Sequence, residues 1–323
     1  MGFSNFPPRP DITIALQALD LWAPRADAAI ISGEIPWAAL LADSTAEQIV
    51  TAGLVPLANY YRSHHLDLVV TLDATDGLNR AAESPALVAA GRSITDTAIQ
   101  RLYRAYVTAI DTMLRPSYLA LAMETNLIRA AAPDSIYRAV VAMANAAATE
   151  RLAGNTTAKL MVTIQVETAW GRFSGSNLYV GVAQDRSDFP FSQALGLSSY
   201  PYLGGFSEPE DVPLDYFSRI TAGSPLPVLV TEGGWSSASV AVVMSSPEKQ
   251  ARWIHREGEL LDAASAVALF QLDFTDLALS FFPPVPDSPT LPLFASLGLV
   301  DTALTPKVAL ASWDTLFSRP RIP

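Results

Sequence analysis

Residues 227–235 read Pro-Val-Leu-Val-Thr-Glu-Gly-Gly-Trp. Val228, Leu229 and Val230 are apolar on both faces a strand would present, Glu232 closes the run, and two glycines interrupt it. A strand with no polar face belongs in a parallel sheet covered on both sides by helices. Seven further short runs share this character: Gly2–Phe6, Asp27–Gly33, Asp67–Asp73, Ser117–Glu124, Leu160–Glu167, Ala194–Tyr200 and Ala266–Asp273. From the second onward their starts lie 33 to 50 residues apart, room for one strand, one helix and two loops.

The intervening segments carry helix signals. Ser44-Thr45-Ala46-Glu47 has the form of a capping box and predicts a helix opening there and running through Ile49–His64. Thr95–Leu114 places Ile99, Leu102, Tyr106, Ile110 and Met113 on one stripe. Pro133-Asp134-Ser135 opens a third helix through Leu152, which Gly154-Asn155 ends. Ser246-Pro247-Glu248 starts another, reaching Ala264. Eight such units predict an α/β fold, a single (β/α)8 TIM barrel occupying residues 1–323 as one domain. No Gly-x-Gly-x-x-Gly follows an early strand, which speaks against dinucleotide binding. Proline-rich Phe282–Pro292 reads as a rim loop.

Composition narrows the function. The 323 residues are 50% hydrophobic and 16% charged, below the roughly 25% charged fraction of an ordinary domain. Net charge is −11, and the only lysines are Lys159, Lys249 and Lys307, so nucleic acid is not an expected partner. No apolar run approaches the ~20 residues of a membrane span. The absence of cysteine removes disulfides, thiol catalysis and cysteine-ligated metals. Met1–Pro10 has neither a basic n-region nor an apolar h-region, so no signal peptide is expected in that stretch. Localisation is left open between secreted or periplasmic, for a chain whose leader has been removed, and cytoplasmic.

A parallel barrel builds its site at the C-terminal ends of its strands. Six of the eight runs end at or beside a carboxylate: Glu34, Asp73, Glu124, Glu167, Glu232 and Asp273. None ends in histidine, lysine or arginine. His64, His65 and His255 fall in helical segments, so a Ser-His-Asp triad lacks its base and a histidine-ligated metal its ligands. Paired carboxylates without histidine suit glycoside hydrolysis, in which one acid attacks the anomeric carbon and the other shuttles the proton. Glu124 on the fourth strand and Glu232 on the seventh are the candidate pair. As the acid, Glu124 needs a raised pKa, from burial or a neighbouring anion. Glu232 must stay ionised, and Tyr200 at the end of the sixth strand is placed to donate to it.

Leu-Ala-Met-Glu-Thr-Asn (121–126), Ser-Ser-Tyr-Pro-Tyr (198–202) and Val-Leu-Val-Thr-Glu-Gly-Gly-Trp (228–235) resemble the clan of retaining (β/α)8 glycoside hydrolases with glutamates on strands four and seven. Within the clan they resemble arabinogalactan endo-β-1,4-galactanase-like proteins. The resemblance implies Glu232 as nucleophile, Glu124 as acid/base, Tyr200 as the hydrogen-bond partner of Glu232, and a β-linked poly- or oligosaccharide substrate with no metal or cofactor. The clan's asparagine before the acid/base is Met123 here, with Asn126 two residues after the glutamate. Its strand-two arginine is absent at Gly33-Glu34, and its strand-eight tryptophan is replaced by Asp273-Phe274. Asn126, Gln165, Glu167, Glu34, Asp73 and Asp273 are candidate sugar contacts, and Trp37, Trp170 and Trp235 candidate stacking platforms. Trp22, Trp253 and Trp313 read as core. A monomer is expected.

Two alternatives compete with this reading. One is a carbohydrate-binding barrel without catalysis. The other is an enolase-like metal enzyme using Asp73, Glu124 and Glu167 on consecutive strands as magnesium ligands, although no strand end offers its lysine or histidine base.

Overall fold

Eight apolar runs separated by amphipathic segments fold as parallel strands alternating with helices in a computed structural model that describes residues 1–42, 44–240, 242–282 and 290–320. The barrel strands are β1 Gly2–Ser4, β2 Ala28–Glu34, β3 Asp67–Asp73, β4 Tyr118–Ala120, β5 Lys159–Gln165, β6 Ala194–Ser199, β7 Val228–Gly233 and β8 Ala268–Gln271. They hydrogen-bond in the closed order β1-β8-β7-β6-β5-β4-β3-β2, the sequential neighbourhood of a (β/α)8 TIM barrel. Ala28 pairs with Asp67 and the register runs unbroken to Glu34 opposite Asp73, so these two carboxylates finish their strands at the same level. In β7 and β8, Leu229 pairs with Ala268 and Val230 with Leu269.

The strands fall within or beside their expected runs, several of them shorter, and three features of the helices differ for physical reasons. The capping box is present one residue along, with Thr45 as N-cap and Gln48 answering it. The helix predicted through Ile49–His64 is two, Ala46–Gly53 and Val55–Ser63, because Pro56 has no N–H to continue the first. The stripe over Thr95–Leu114 ends in a π turn, Ile110–Leu114, whose wider pitch buries Leu114 rather than Met113. Ser246 caps Pro247–Ala264 by accepting from the Lys249 N–H. The loop expected at Phe282–Pro292 lies outside the described residues over 283–289.

The chain divides into two compact units. One, the Glu124 unit, comprises Ala28–Gln165 and Val182–Gly196; the other, the Glu232 unit, comprises residues 1–27, 166–181 and 197–323. The core of the Glu124 unit is aliphatic, with Val69, Val70, Leu119, Leu160 and Ile164 on its strands backed by Ala144, Ala147 and Ala148 of helix Asp134–Ala153. The Glu232 unit is knitted by aromatics. Phe3 lies 4.5 Å from Trp313, 5.6 Å from Trp22 and 5.1 Å from Phe274, centroid to centroid. Phe274, at the place of the clan's tryptophan, is therefore part of the packing around β1. Among the described residues no helix is long and apolar enough to cross a membrane.

Candidate active site

In the Glu124 unit, β4 ends at Ala120 and the chain turns sharply at Glu124 (φ 47°, ψ 47°), which heads the short helix Thr125–Ala131. A left-handed glutamate is unfavourable unless the surroundings enforce it, and such residues concentrate at functional sites. Here the enforcement is visible. The Glu124 N–H donates to Thr163 Oγ1 at 2.8 Å, and its carbonyl accepts from the N–H groups of Leu127 and Ile128.

The Glu124 side chain is buried and receives Arg80 Nε on Oε2 at 2.8 Å. Arg80 also bonds Asp73 Oδ2 through Nη1, so one guanidinium bridges two carboxylates. Burial alone would lower the Arg80 pKa, but Asp73 and Glu124 more than offset it and keep the cation charged. Arg80 arrives on a β-hairpin after β3, Thr75–Asp76 paired with Asn79–Glu83. The hairpin turn is fastened by Gly77 N–H to Glu34 Oε1 at 3.1 Å. A Cβ at Gly77 would sit 3.1 Å from Asp73 Oδ2 and 3.2 Å from Glu34 Oε1, a tight fit that would press on both carboxylates.

Reading strand ends alone missed both Arg80 and this hairpin. Asp76-Gly77, a hairpin dipeptide, is the signal that marks them. For the acid's role Glu124 called for burial or a neighbouring anion; the burial is present, and the partner in contact is a cation. Asn126 is tied on both sides of its amide, Nδ2 donating to the Gln165 carbonyl and Oδ1 accepting the Gln165 N–H, each at 2.8 Å. It braces the end of β5 against the helix that follows Glu124. Trp37 opens the short helix Trp37–Leu41 and is fully buried.

The Glu232 unit assembles a different chemistry. Tyr200, just past β6, donates its hydroxyl to Glu232 Oε1 at 2.6 Å, while Glu232 itself is half-buried. Gly234 (φ 147°) follows, where a Cβ would lie 2.7 Å from the Gln271 amide nitrogen. Glu167, in the short helix Val166–Ala169 after β5, is fully buried and accepts from Ser199 Oγ and Tyr216 Oη, each at 3.0 Å. Trp235 is buried against Trp253 and donates Nε1 to Ser245 Oγ at 3.0 Å, so its ring packs rather than offering an open face. Trp170 stacks on Tyr216, with the Arg219 guanidinium over its ring.

Asp273, just past β8, is buried with neither carboxyl oxygen hydrogen-bonded among the described residues. Its pKa is raised by burial first, then by Asp276 and Glu232. Asp276 has its own partner in Lys307. The acids of the metal alternative are likewise engaged: Asp73 and Glu124 by Arg80, Glu167 by Ser199 and Tyr216. Among the described residues no group of three or more histidines or carboxylates is arranged to hold a metal ion.

No family model matches the chain, and no curated protein matches it in sequence. Solved structures do match in fold. An exo-β-1,4-mannosidase from an Opitutaceae bacterium is 15% identical over 98% of this chain and 58% of its own, with a TM-score of 0.65. A family 5, subfamily 18 glycoside hydrolase from Bifidobacterium longum is 15% identical over 98% of this chain and 77% of its own, with a TM-score of 0.68. A family 39 glycoside hydrolase from Bacteroides cellulosilyticus is 15% identical over 98% and 63%, with a TM-score of 0.65. The chain thus spans about three-fifths of the mannosidase. At this identity the likeness is one of fold, and the class it defines is the (β/α)8 barrel on which these glycoside hydrolases are built.

Proposed function

We propose that the protein is a retaining glycoside hydrolase acting on a β-linked poly- or oligosaccharide, with Glu232 as nucleophile and Glu124 as acid/base. The observation that carries the reading is the Tyr200–Glu232 hydrogen bond at 2.6 Å. A phenol hydroxyl donating to a carboxylate favours its ionised form and fixes the orientation of the oxygen that must attack. In the first step a Glu232 oxygen bonds to the anomeric carbon as the glycosidic bond breaks, and the leaving oxygen takes the Glu124 proton. In the second, Glu124 removes a proton from water, whose oxygen displaces Glu232 and restores the carboxylate. No metal or cofactor enters this scheme. The galactanase-like motifs make β-1,4-galactan the first polymer to test.

Glu232→Gln should lower hydrolysis of an aryl β-glycoside panel by roughly 10⁴-fold or more, with an unchanged circular dichroism spectrum. A fluorosugar inactivator should leave a covalent adduct on Glu232, located by peptide mass. Turnover by Glu232→Gln at the wild-type rate would remove the assignment.

A second reading has its own observation. The bridge from Arg80 occupies one oxygen of Glu124, as a carbohydrate-binding barrel without catalysis would tolerate. That protein would bind sugars in calorimetry and release no product over days.

A further inference from the structure

The Tyr200–Glu232 hydrogen bond has a neighbour that none of the sequence motifs contains. The short helix Leu291–Phe294, which follows β8 in the chain, meets both tyrosines of Ser-Ser-Tyr-Pro-Tyr. The Phe294 ring stands edge-on to Tyr200, 4.9 Å between centroids at 67°. The Leu293 carbonyl accepts the Tyr202 hydroxyl at 2.9 Å. Tyr202 lies 6.3 Å from Tyr200 and 5.7 Å from Trp235, which in turn lies 5.6 Å from Trp253. These contacts make a continuous row of rings with Tyr200 second from one end. Trp253, on helix Pro247–Ala264, closes the other end and is fully buried, as Tyr202 and Trp235 nearly are. Phe294 is half-buried, so the row is packed from the Trp253 side and rests on Phe294 at the other.

The backbone just past Phe294 is firmly tied. The Ala295 carbonyl accepts the Leu277 N–H and the Ser296 carbonyl accepts the Ser237 N–H, each at 2.9 Å. The Leu297 carbonyl accepts Gln250 Nε2 at 2.9 Å and Gln271 Nε2 at 2.8 Å. Three successive carbonyls are thus anchored to β8, to the segments after β7 and β8 and to helix Pro247–Ala264. A ring carried on such a backbone restrains the ring it touches.

We propose that Phe294 is a positioning residue for the nucleophile: it holds the Tyr200 ring so that the phenol hydroxyl stays on Glu232 Oε1. The effect on rate rests on the hydrolase reading. A tyrosine hydroxyl lies at the far end of two rotatable bonds, so a small tilt of the ring moves it most. A shift of about 1 Å is enough to take a hydrogen bond out of range. The edge-to-face contact is what resists that tilt. Both chemical steps use the Glu232 carboxylate, so loosening the phenol should fall on kcat rather than on KM.

The test uses the full chain and the aryl β-glycoside that the wild type turns over fastest. Phe294→Ala should lower kcat by about 5–10-fold with KM changed by less than about twofold. In a Tyr200→Phe background the same change should cost less than about twofold, because no hydroxyl remains to be held. Phe294→Tyr keeps the ring and should restore most of the rate, and Phe294→Leu, which keeps apolar volume without the ring, should fall between. Urea unfolding of wild type, the two single variants and the double variant gives a readout that needs no turnover. Tyr200→Phe leaves in place the ring on which Phe294 packs, so packing alone would cost the same midpoint shift in both backgrounds. Positioning predicts that Phe294→Ala lowers the midpoint more when the hydroxyl is present, and this comparison stands even if Glu232→Gln overturns the hydrolase reading. Equal midpoint shifts, or kcat losses that simply multiply, would reduce Phe294 to a packing residue and overturn the proposal. A raised KM with kcat unchanged would also overturn it, by making Phe294 a sugar contact.

Discussion

Glu124 and Glu232 both close apolar runs of the sequence, and a list of run ends cannot tell them apart. Their surroundings can. Glu124 is buried against a guanidinium that also serves Asp73, whereas Glu232 is half-buried and receives a phenol hydroxyl. The first partner carries a full charge; the second orients its carboxylate without adding charge. The Glu232 unit also holds Asp273, whose raised pKa marks a carboxyl that resists ionisation beside Glu232. Burial and partners, more than residue type, set the two glutamates apart, and those partners sit on a hairpin and past the strand ends.

The contrast is most directly broken by exchanging roles. Glu124→Ala should slow an alkyl or oligosaccharide substrate by roughly 10²–10⁴-fold, while a dinitrophenyl glycoside, whose leaving group needs no proton, loses far less in its first step. Added azide should then yield a glycosyl azide of retained configuration, read by proton NMR. Equal losses on both substrates would deny Glu124 the acid role that separates it from Glu232. Tyr200→Phe leaves the Glu232 backbone in place and removes one charge-assisted hydrogen bond. It should lower kcat/KM by about 10–100-fold with little change in melting temperature. An unaltered rate would make the phenol a packing residue.

Glu257 sharpens the comparison from the stability side. On helix Pro247–Ala264, it is fully buried, neither of its oxygens is hydrogen-bonded among the described residues, and burial pushes its pKa up to about 8. A carboxyl whose folded pKa lies above its unfolded value stabilises the fold least where both states would be ionised. Its contribution is full below about pH 4.5 and falls as pH climbs to about 8. Urea titrations should show Glu257→Gln gaining on wild type across that window, by a few kcal/mol at its upper end. Parallel pH profiles for the two proteins would mean that Glu257 finds a partner when it ionises. The smallest effect belongs to Thr45→Ala, which removes the cap of helix Ala46–Gly53 and should cost about 1 kcal/mol with no change in activity.

How far the chain could be read in advance depended on the range of the interactions. β3 begins and ends where its hydrophobic run does, and Ser246 caps its helix as the Ser-Pro-Glu signal predicts, because both depend on neighbours a few residues away. Trp22, Trp253 and Trp313 are core because each lies on a buried helical stripe. The Tyr200–Glu232 contact also emerged as anticipated, since adjacent strands end at similar levels. Arg80 did not, although Asp76-Gly77 announces its turn, because its partner Glu124 lies 44 residues further along the chain. Asn126 likewise looked like a sugar contact until its amide was found spanning to Gln165, 39 residues away. Glu167 ended a strand in prospect and a buried hydrogen-bond cluster in fact, with Ser199 and Tyr216 supplied by later segments.

Periodicity, capping residues and the excess of carboxylates were enough to specify strands, helices and an acidic set of strand ends, since each follows from local sterics and composition. The partners of those carboxylates and their burial were not, because they depend on charges and hydroxyls brought together across tens of residues. Arg80 against Glu124, and Tyr200 against Glu232, become neighbours only when the strands and the hairpin are in place.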